Sequence, residues 1–312
     1  AGLLERIAKK SLNKWHRIEA ILALGYAQAV SALNIFEKGI FSKDLDISYA
    51  SMLALGQIKT DLSARILLSF LRKNTDRAQR LASILDTFPA SAADEIIKLI
   101  NDKEPQVRFW ALKIVCHFRP HNYKDKIISL AADEVASVRG IACQCIGEIG
   151  GKDAERVLLN ALKDSSWLVR MYAVKALSVA MGDGCCKHIV ALLGDNSLSV
   201  IDAVKETMIK YINSSAVYLE KILSGDDQSA KKAAVEILAT SGYIKNIVKC
   251  ESPYQEKMVS ELIKAGAHYS IESAVRSLND DEQIGVAHKI EKIDSDFGGQ
   301  ILQKIKNGPK KV

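Results

Sequence analysis

Residues 102–115 read DKEPQVRFWALKIV, residues 133–146 read DEVASVRGIACQCI, and residues 164–177 read DSSWLVRMYAVKAL. Aligned, the three stretches repeat every 31 residues. Asp102, Asp133, Asp164, Asp195 and Asp226 keep this interval, as do Val107, Val138, Val169 and Val200. Arg108, Arg139 and Arg170 each follow a valine directly, and Ala111, Ala142 and Ala173 come three residues later. Next stand Leu112, Cys143 and Val174, then Val115, Ile146 and Leu177. Apolar residues at these offsets share one face of an α-helix. A small residue fixed within that face lets neighbouring helices approach closely.

The rest of each period carries a second amphipathic pattern, over 124–132, 154–163, 186–194 and 217–224. Each unit is therefore helix, turn, helix, short loop. The Asp that opens the loop has a carboxylate able to accept N–H bonds at the next helix start. Pro105 stands at such a start, where a missing N–H costs little. Counting backwards recovers earlier copies: Arg17, Ala20, Ile21 and Leu24, then Ser48, Ser51, Met52 and Leu55, with Gly25 and Gly56 in phase with Gly147. A copy near Arg77 to Phe88 is two residues short. Past Asp226 the phase decays, but helix pairs continue over 228–240 with 244–249, 254–265 with 271–277, and 282–293 with 299–305. The chain thus holds about ten units.

Asp, a four-residue gap, Val-Arg and then an Ala three residues on resembles a HEAT repeat of the short prokaryotic type, similar to the HEAT-like repeats named after phycobilin lyases. The resemblance is strongest over 102–195, good over 13–60 and faint after 226. It implies an all-α, right-handed superhelical solenoid filling residues 1–312 as one domain. Its clear repeats run over 13–226, its divergent ones over 227–306, and a frayed tail over 307–312. In this family the Asp and Arg of successive repeats form a hydrogen-bonded ladder. By resemblance Asp102 and Arg108, Asp133 and Arg139, and Asp164 and Arg170 belong to it, as structural rather than anion-binding residues.

The composition agrees with stacked helices. The chain has 312 residues, of which 48% are hydrophobic but only 6% aromatic, with 5 prolines. A sandwich or barrel draws on more aromatics and turns, and this hydrophobic content excludes disorder. The chain opens at Ala1 without a Met, as a piece of a longer or membrane-tethered protein would. Residues 1–80 hold 13 Lys/Arg against 7 Asp/Glu, the whole of the net +6, while the rest is balanced. That basic end suits an acidic protein, nucleic acid or an anionic membrane surface. Cys116, Cys143, Cys145, Cys185, Cys186 and Cys250 lack disulfide or zinc spacing, which points to a reducing compartment, the cytoplasm.

Catalytic signatures are missing. Gly147–Asp153 (GEIGGKD) lacks the Ser/Thr of a phosphate loop. There is no H-E-x-x-H, G-x-S-x-G or G-x-G-x-x-G. His16, His117, His121, His188, His268 and His288 are scattered, so neither metal nor organic cofactor is expected, and neither is a small-molecule substrate. Trp15, Trp110 and Trp167 are reminiscent of HEAT-like alkylpurine DNA glycosylases, which grip DNA in a basic, aromatic channel. Here, however, Trp110 and Trp167 lie in the neutral middle of the chain. A tetrapyrrole lyase-type accessory subunit is a further reading allowed by resemblance alone.

One ridge resists the core explanation. Positions one, five and nine after each Arg position should face outward. In order they read Ile18/Leu22/Tyr26, Tyr49/Leu53/Gln57, Phe109/Lys113/His117, Gly140/Gln144/Glu148, Met171/Lys175/Val179 and Asp202/Glu206/Lys210. The ridge starts apolar and fades to polar. Two readings stay open: a groove for a partner helix or peptide, or burial beneath an N-terminal segment such as residues 1–12. The first makes the protein a non-catalytic scaffold that docks a protein or peptide through its N-terminal repeats. Under the second, docking moves to Phe109, Lys113, Met171 and Lys175. Nucleic-acid binding is the alternative function.

Overall fold

The 31-residue period appears as paired helices laid side by side in the computed structural model, which describes residues 2–118 and 121–307. Among these residues there is no strand. The expected frayed tail falls, beyond Asn307, outside the described residues. The chain packs as two compact units, Ala1–Val157 and Leu158–Val312.

The first unit runs α1 (Gly2–Lys10), α2 (Lys14–Tyr26), α3 (Leu33–Ile40), α4 (Leu45–Ile58), α5 (Asp61–Leu71), α6 (Ala78–Leu85), the short α7 (Ala93–Ile96), α8 (Pro105–His117), α9 (Lys124–Ser129), α10 (Ala136–Ile149) and the start of α11 (Lys152–Ala161). Local chemistry sets the starts. Asn13 caps α2, the Asp44 carboxylate accepts the N–H groups of Asp46 and Ile47, and Thr60 and Ser63 form a reciprocal capping box on α5. Pro105 opens α8. α2, α4, α6, α8 and α10 pack in sequence, each against the next.

Val107, Ala111, Leu112 and Val115 are fully buried, as are Val138, Ala142, Cys143 and Ile146. The buried face is wider than the four columns read from the sequence, because Ile114 and Cys145 are fully buried too. α8 packs against α6 on one side and α10 on the other, with the stretch at 93–99 beneath it, so only one ridge is left for solvent.

The second helices are less regular than the sequence pattern implies. The stretch over 124–132 is α9 followed by a 3₁₀ turn at Leu130–Ala132. The tighter turn lets the Leu130 carbonyl accept the Asp133 N–H at 3.2 Å, which leads directly into the loop.

Close approach fixes one glycine. A Cβ on Gly25 would lie 2.6 Å from Ala54 Cα and 2.8 Å from Ala54 Cβ. Main chain cannot swing aside as a long side chain can. Gly25→Val is therefore expected to cost about 2–3 kcal/mol, at the upper end of overpacking. Gly184→Ala, with nothing within 4 Å of the added carbon, should stay within about 0.5 kcal/mol. Urea denaturation of both variants checks the contrast.

The second unit completes α11 and continues through α12 (Trp167–Met181), α13 (Cys186–Ile189), α14 (Leu198–Lys210), α15 (Ile212–Leu223), α16 (Gln228–Thr240), α17 (Tyr243–Ile247), α18 (Pro253–Lys264), α19 (His268–Arg276), α20 (Asp280–Ile293) and α21 (Ser295–Lys306). Helix pairing thus persists where the sequence phase fades. α15 begins five residues before the stretch at 217–224, and Val190–Gly194 is a 3₁₀ continuation of α13. Within Trp167–Gly194 an 18-residue window has a mean hydropathy of 1.4, enough by length and composition to cross a membrane. In the fold this stretch breaks at Gly182, where φ is +58°. Its Val169, Ala173, Val174 and Leu177 are fully buried in the protein core.

Candidate partner-binding surface

The recurrent Arg and Asp meet between successive repeats. Arg108 donates from Nε to Asp133 Oδ2 at 2.8 Å and from Nη2 to Asp133 Oδ1 at 2.9 Å. Its Nη1 turns back to the main-chain oxygens of Asp102 and Lys103, at 2.9 and 3.2 Å. Asp133 Oδ1 also accepts the Val135 N–H at 2.9 Å. In the second unit Arg170 reaches Asp195 at 2.7 and 2.8 Å and the carbonyls of Asp164 and Ser165 at 2.8 and 3.1 Å. Asp195 Oδ1 accepts the Ser197 N–H at 2.8 Å. Arg139 Nη1 donates to the carbonyls of Asp133 and Glu134 at 2.9 and 3.2 Å.

Asp102, Asp133 and Asp164 therefore each offer the carbonyl to the Arg of their own repeat. Asp133 and Asp195 give their carboxylates to the preceding Arg, while the Asp102 carboxylate takes Arg72 Nε at 2.8 Å. The forked, charge-assisted geometry holds the Asp195 carboxyl below the usual range, chiefly through the Arg170 guanidinium, and raises Arg108 and Arg170 further. These groups are hydrogen-bonded to one another between repeats.

The outward ridge lies elsewhere. On α2, Ile18 and Leu22 are half-buried and Tyr26 is 73% exposed. On α4, Tyr49 is 42% exposed and Leu53 half-buried. α1 packs against α2 and buries Ala8, yet leaves Tyr26 in solvent. On α8, Phe109 is half-buried and Lys113 exposed, with the Lys113 ammonium 4.9 Å from the Trp110 ring. Met171 and Lys175 belong to α12 of the second unit, half-buried and exposed respectively. The fold thus gathers Ile18, Leu22, Tyr26, Tyr49 and Leu53 on two packed neighbours, with Phe109 and Lys113 on a later helix of the same unit.

Beside Tyr49 a cleft of about 640 Å³ opens between α4 and α6, lined by Leu45, Tyr49, Met52, Arg77 and Arg80 among others. The Arg80 guanidinium lies 5.3 Å from the Tyr49 ring centroid, and Arg77 Nη1 donates to Ser48 Oγ at 3.1 Å. Leu45 is 63% exposed at its rim. Aromatic, aliphatic and cationic groups therefore face one space. Arg77 and Arg80 are not placed by the 31-residue count, because their repeat is short and its helix α6 has only eight residues. The dense cations at Arg72, Lys73, Arg77 and Arg80 were the available clue.

A second cleft of about 470 Å³ holds Asp86, Lys113, His117, Gln144 and Glu148. Burial pushes the Asp86 carboxyl up, partly offset by His117 and Lys113. All six cysteines are buried. Among the described residues no three His, Cys, Asp or Glu side chains come together as a metal site.

The family model for HEAT repeats matches residues 1–85 and 124–210, more than half of the chain. The chain belongs to the HEAT repeat family. No curated protein matches it. Among solved structures it is similar to the karyopherin Kap121p bound to the extreme C-terminus of the protein phosphatase Cdc14p. That match has a TM-score of 0.53 and 16% identity, over 98% of this chain and 43% of that one. It is also similar to a homology model of the full-length AP-3 complex, with TM-score 0.51 and 13% identity over 94% and 69%. The complex of CpcE and CpcF of phycocyanin lyase from Nostoc sp. PCC7120 matches at TM-score 0.37 and 14% identity over 88% and 94%. With the karyopherin and the AP-3 complex, at such identities, the shared property is the fold.

Proposed function

We propose that this protein is a non-catalytic scaffold that docks a protein or peptide partner on the outward face of α2, α4 and α6. The observation that carries this reading is the exposure of Tyr49 beside the Arg80 guanidinium, with Arg77 lining the same cleft and Tyr26 exposed on the neighbouring α2. Aromatic rings in solvent next to cations form a natural anchor for an acidic amphipathic helix or peptide. The basic excess of residues 1–80 steers such a partner, and the rings supply affinity as they are buried. Kap121p, on the same fold, binds a terminal segment of another protein. The AP-3 match is likewise to a multi-subunit complex.

Selection from a peptide library should yield acidic sequences with apolar positions at helical spacing. Tyr26→Ser combined with Tyr49→Ser should leave helicity intact and cost the selected peptide about 2 kcal/mol of binding. Fluorescence anisotropy reads that loss. Equal affinity for wild type and the double variant would remove the ridge from the account.

A further inference from the structure

Arg17 occupies in α2 the place that Arg108 and Arg170 occupy in α8 and α12. Those two arginines find their carboxylate 25 residues on, at Asp133 and Asp195. Twenty-five residues beyond Arg17 stands Ser42. The serine keeps one of the aspartate's two tasks: its Oγ accepts the Asp44 N–H at 3.2 Å, as Asp133 and Asp195 each accept the N–H two residues on. The other task, neutralising the arginine, is lost. Arg17 donates from Nε to the Ala8 carbonyl at 3.3 Å. Its two Nη groups have no acceptor among the described residues.

This arginine lines a pocket of about 510 Å³ between α1, α2 and α3, with Lys9, Lys38, Asn34 and Ser42, over an apolar floor that includes Ile21. No Asp or Glu lines the pocket. Among the described residues neither Lys9, Arg17 nor Lys38 enters an ion pair. The nearby carboxylates of Asp44 and Asp46 are held by Lys14, at 3.1 and 2.5 Å. Three cations and two neutral hydrogen-bonding side chains thus share one concave space.

We propose that this pocket binds a phosphate dianion, free or as a phosphomonoester. A lone carboxylate brings one charge and two oxygens. A phosphate dianion brings nearly two charges and several strong acceptor oxygens, a better match for a guanidinium, two ammonium groups, an amide and a hydroxyl. The volume beyond the anion, floored by Ile21, suits a small organic group on the ester oxygen. This site is independent of the peptide-docking ridge.

The test is calorimetric titration of the whole chain with inorganic phosphate at constant ionic strength. Ser42→Asp places a carboxylate where the other repeats carry one, so it should satisfy Arg17 from within and weaken phosphate about tenfold or more. Lys9→Gln with Lys38→Gln, two exposed positions that should not affect folding, should weaken it similarly. Circular dichroism confirms helicity in both. Saturable one-site binding lost in both variants is the expected result. Absence of saturable binding at millimolar phosphate, or unchanged affinity in the variants, overturns the proposal. Phosphatidylcholine vesicles carrying phosphatidic acid separate the sources: variant-sensitive co-flotation assigns a lipid headgroup, while variant-sensitive calorimetry without flotation assigns a soluble phosphomonoester.

Discussion

Asp133→Ala should cost about 3–5 kcal/mol of folding stability, because it strands the Arg108 guanidinium in the protein interior. The side chains of Arg108 and Asp133 are 9% and 7% exposed, and two N–H groups converge on the carboxylate. Alanine removes both acceptors and also the acceptor of the Val135 N–H, which loosens the start of α10. Asp153→Ala is the control. Its partner Lys124 lies at 3.4 Å and Asp153 is 67% exposed, so the expected cost is within about 1 kcal/mol. Chemical denaturation of the three proteins reads the difference. A loss at Asp133 no larger than at Asp153 would mean that the interior pair does not hold the repeats together.

The second large effect concerns Arg170→Met and depends on pH. At neutral pH the substitution leaves Asp195, 6% exposed, charged and without its guanidinium, again at a cost of about 3–5 kcal/mol. In the wild type the Asp195 carboxyl is held below its usual range, first by Arg170. A depressed carboxylate stabilises the fold above its unfolded pKa, and that contribution is lost as pH falls through its folded value. In the variant the Arg170 contribution is gone and burial, which raises the carboxyl, is opposed only by the Ser197 N–H bond, so the carboxyl sits higher than in the wild type and acidification relieves the variant sooner. The gap between the two proteins should therefore be widest near neutrality and shrink as pH falls below about 5. Thermal denaturation at a series of pH values measures it. A gap that widens on acidification would contradict the assignment.

The Arg-bearing helices were readable from the sequence because their core columns recur in strict phase. Val107, Ala111, Leu112 and Val115 have counterparts 31 residues on, and both sets are fully buried. Even after Asp226, where the phase fades, apolar spacing places α16 at Gln228–Thr240. The ends of the second helices were less legible, because the choice between α and 3₁₀ in a last turn depends on the loop that follows. The ridge itself was visible as a pattern. Whether it faces water depends on how α1 lies against α2, which periodicity does not encode. Arg77 and Arg80 were hidden by a shortened repeat. The pocket at Arg17 was hidden because a serine in an aspartate's column looks like ordinary drift until the partners of Arg108 and Arg170 are known.

Hydrogen exchange of the whole chain, with and without a selected acidic peptide, bears most directly on the docking face. Slower exchange confined to residues 14–26, 45–58 and 78–85, with residues 158–312 unchanged, is the expected result. Protection falling on the second unit, or on neither unit while the peptide is bound, would contradict it.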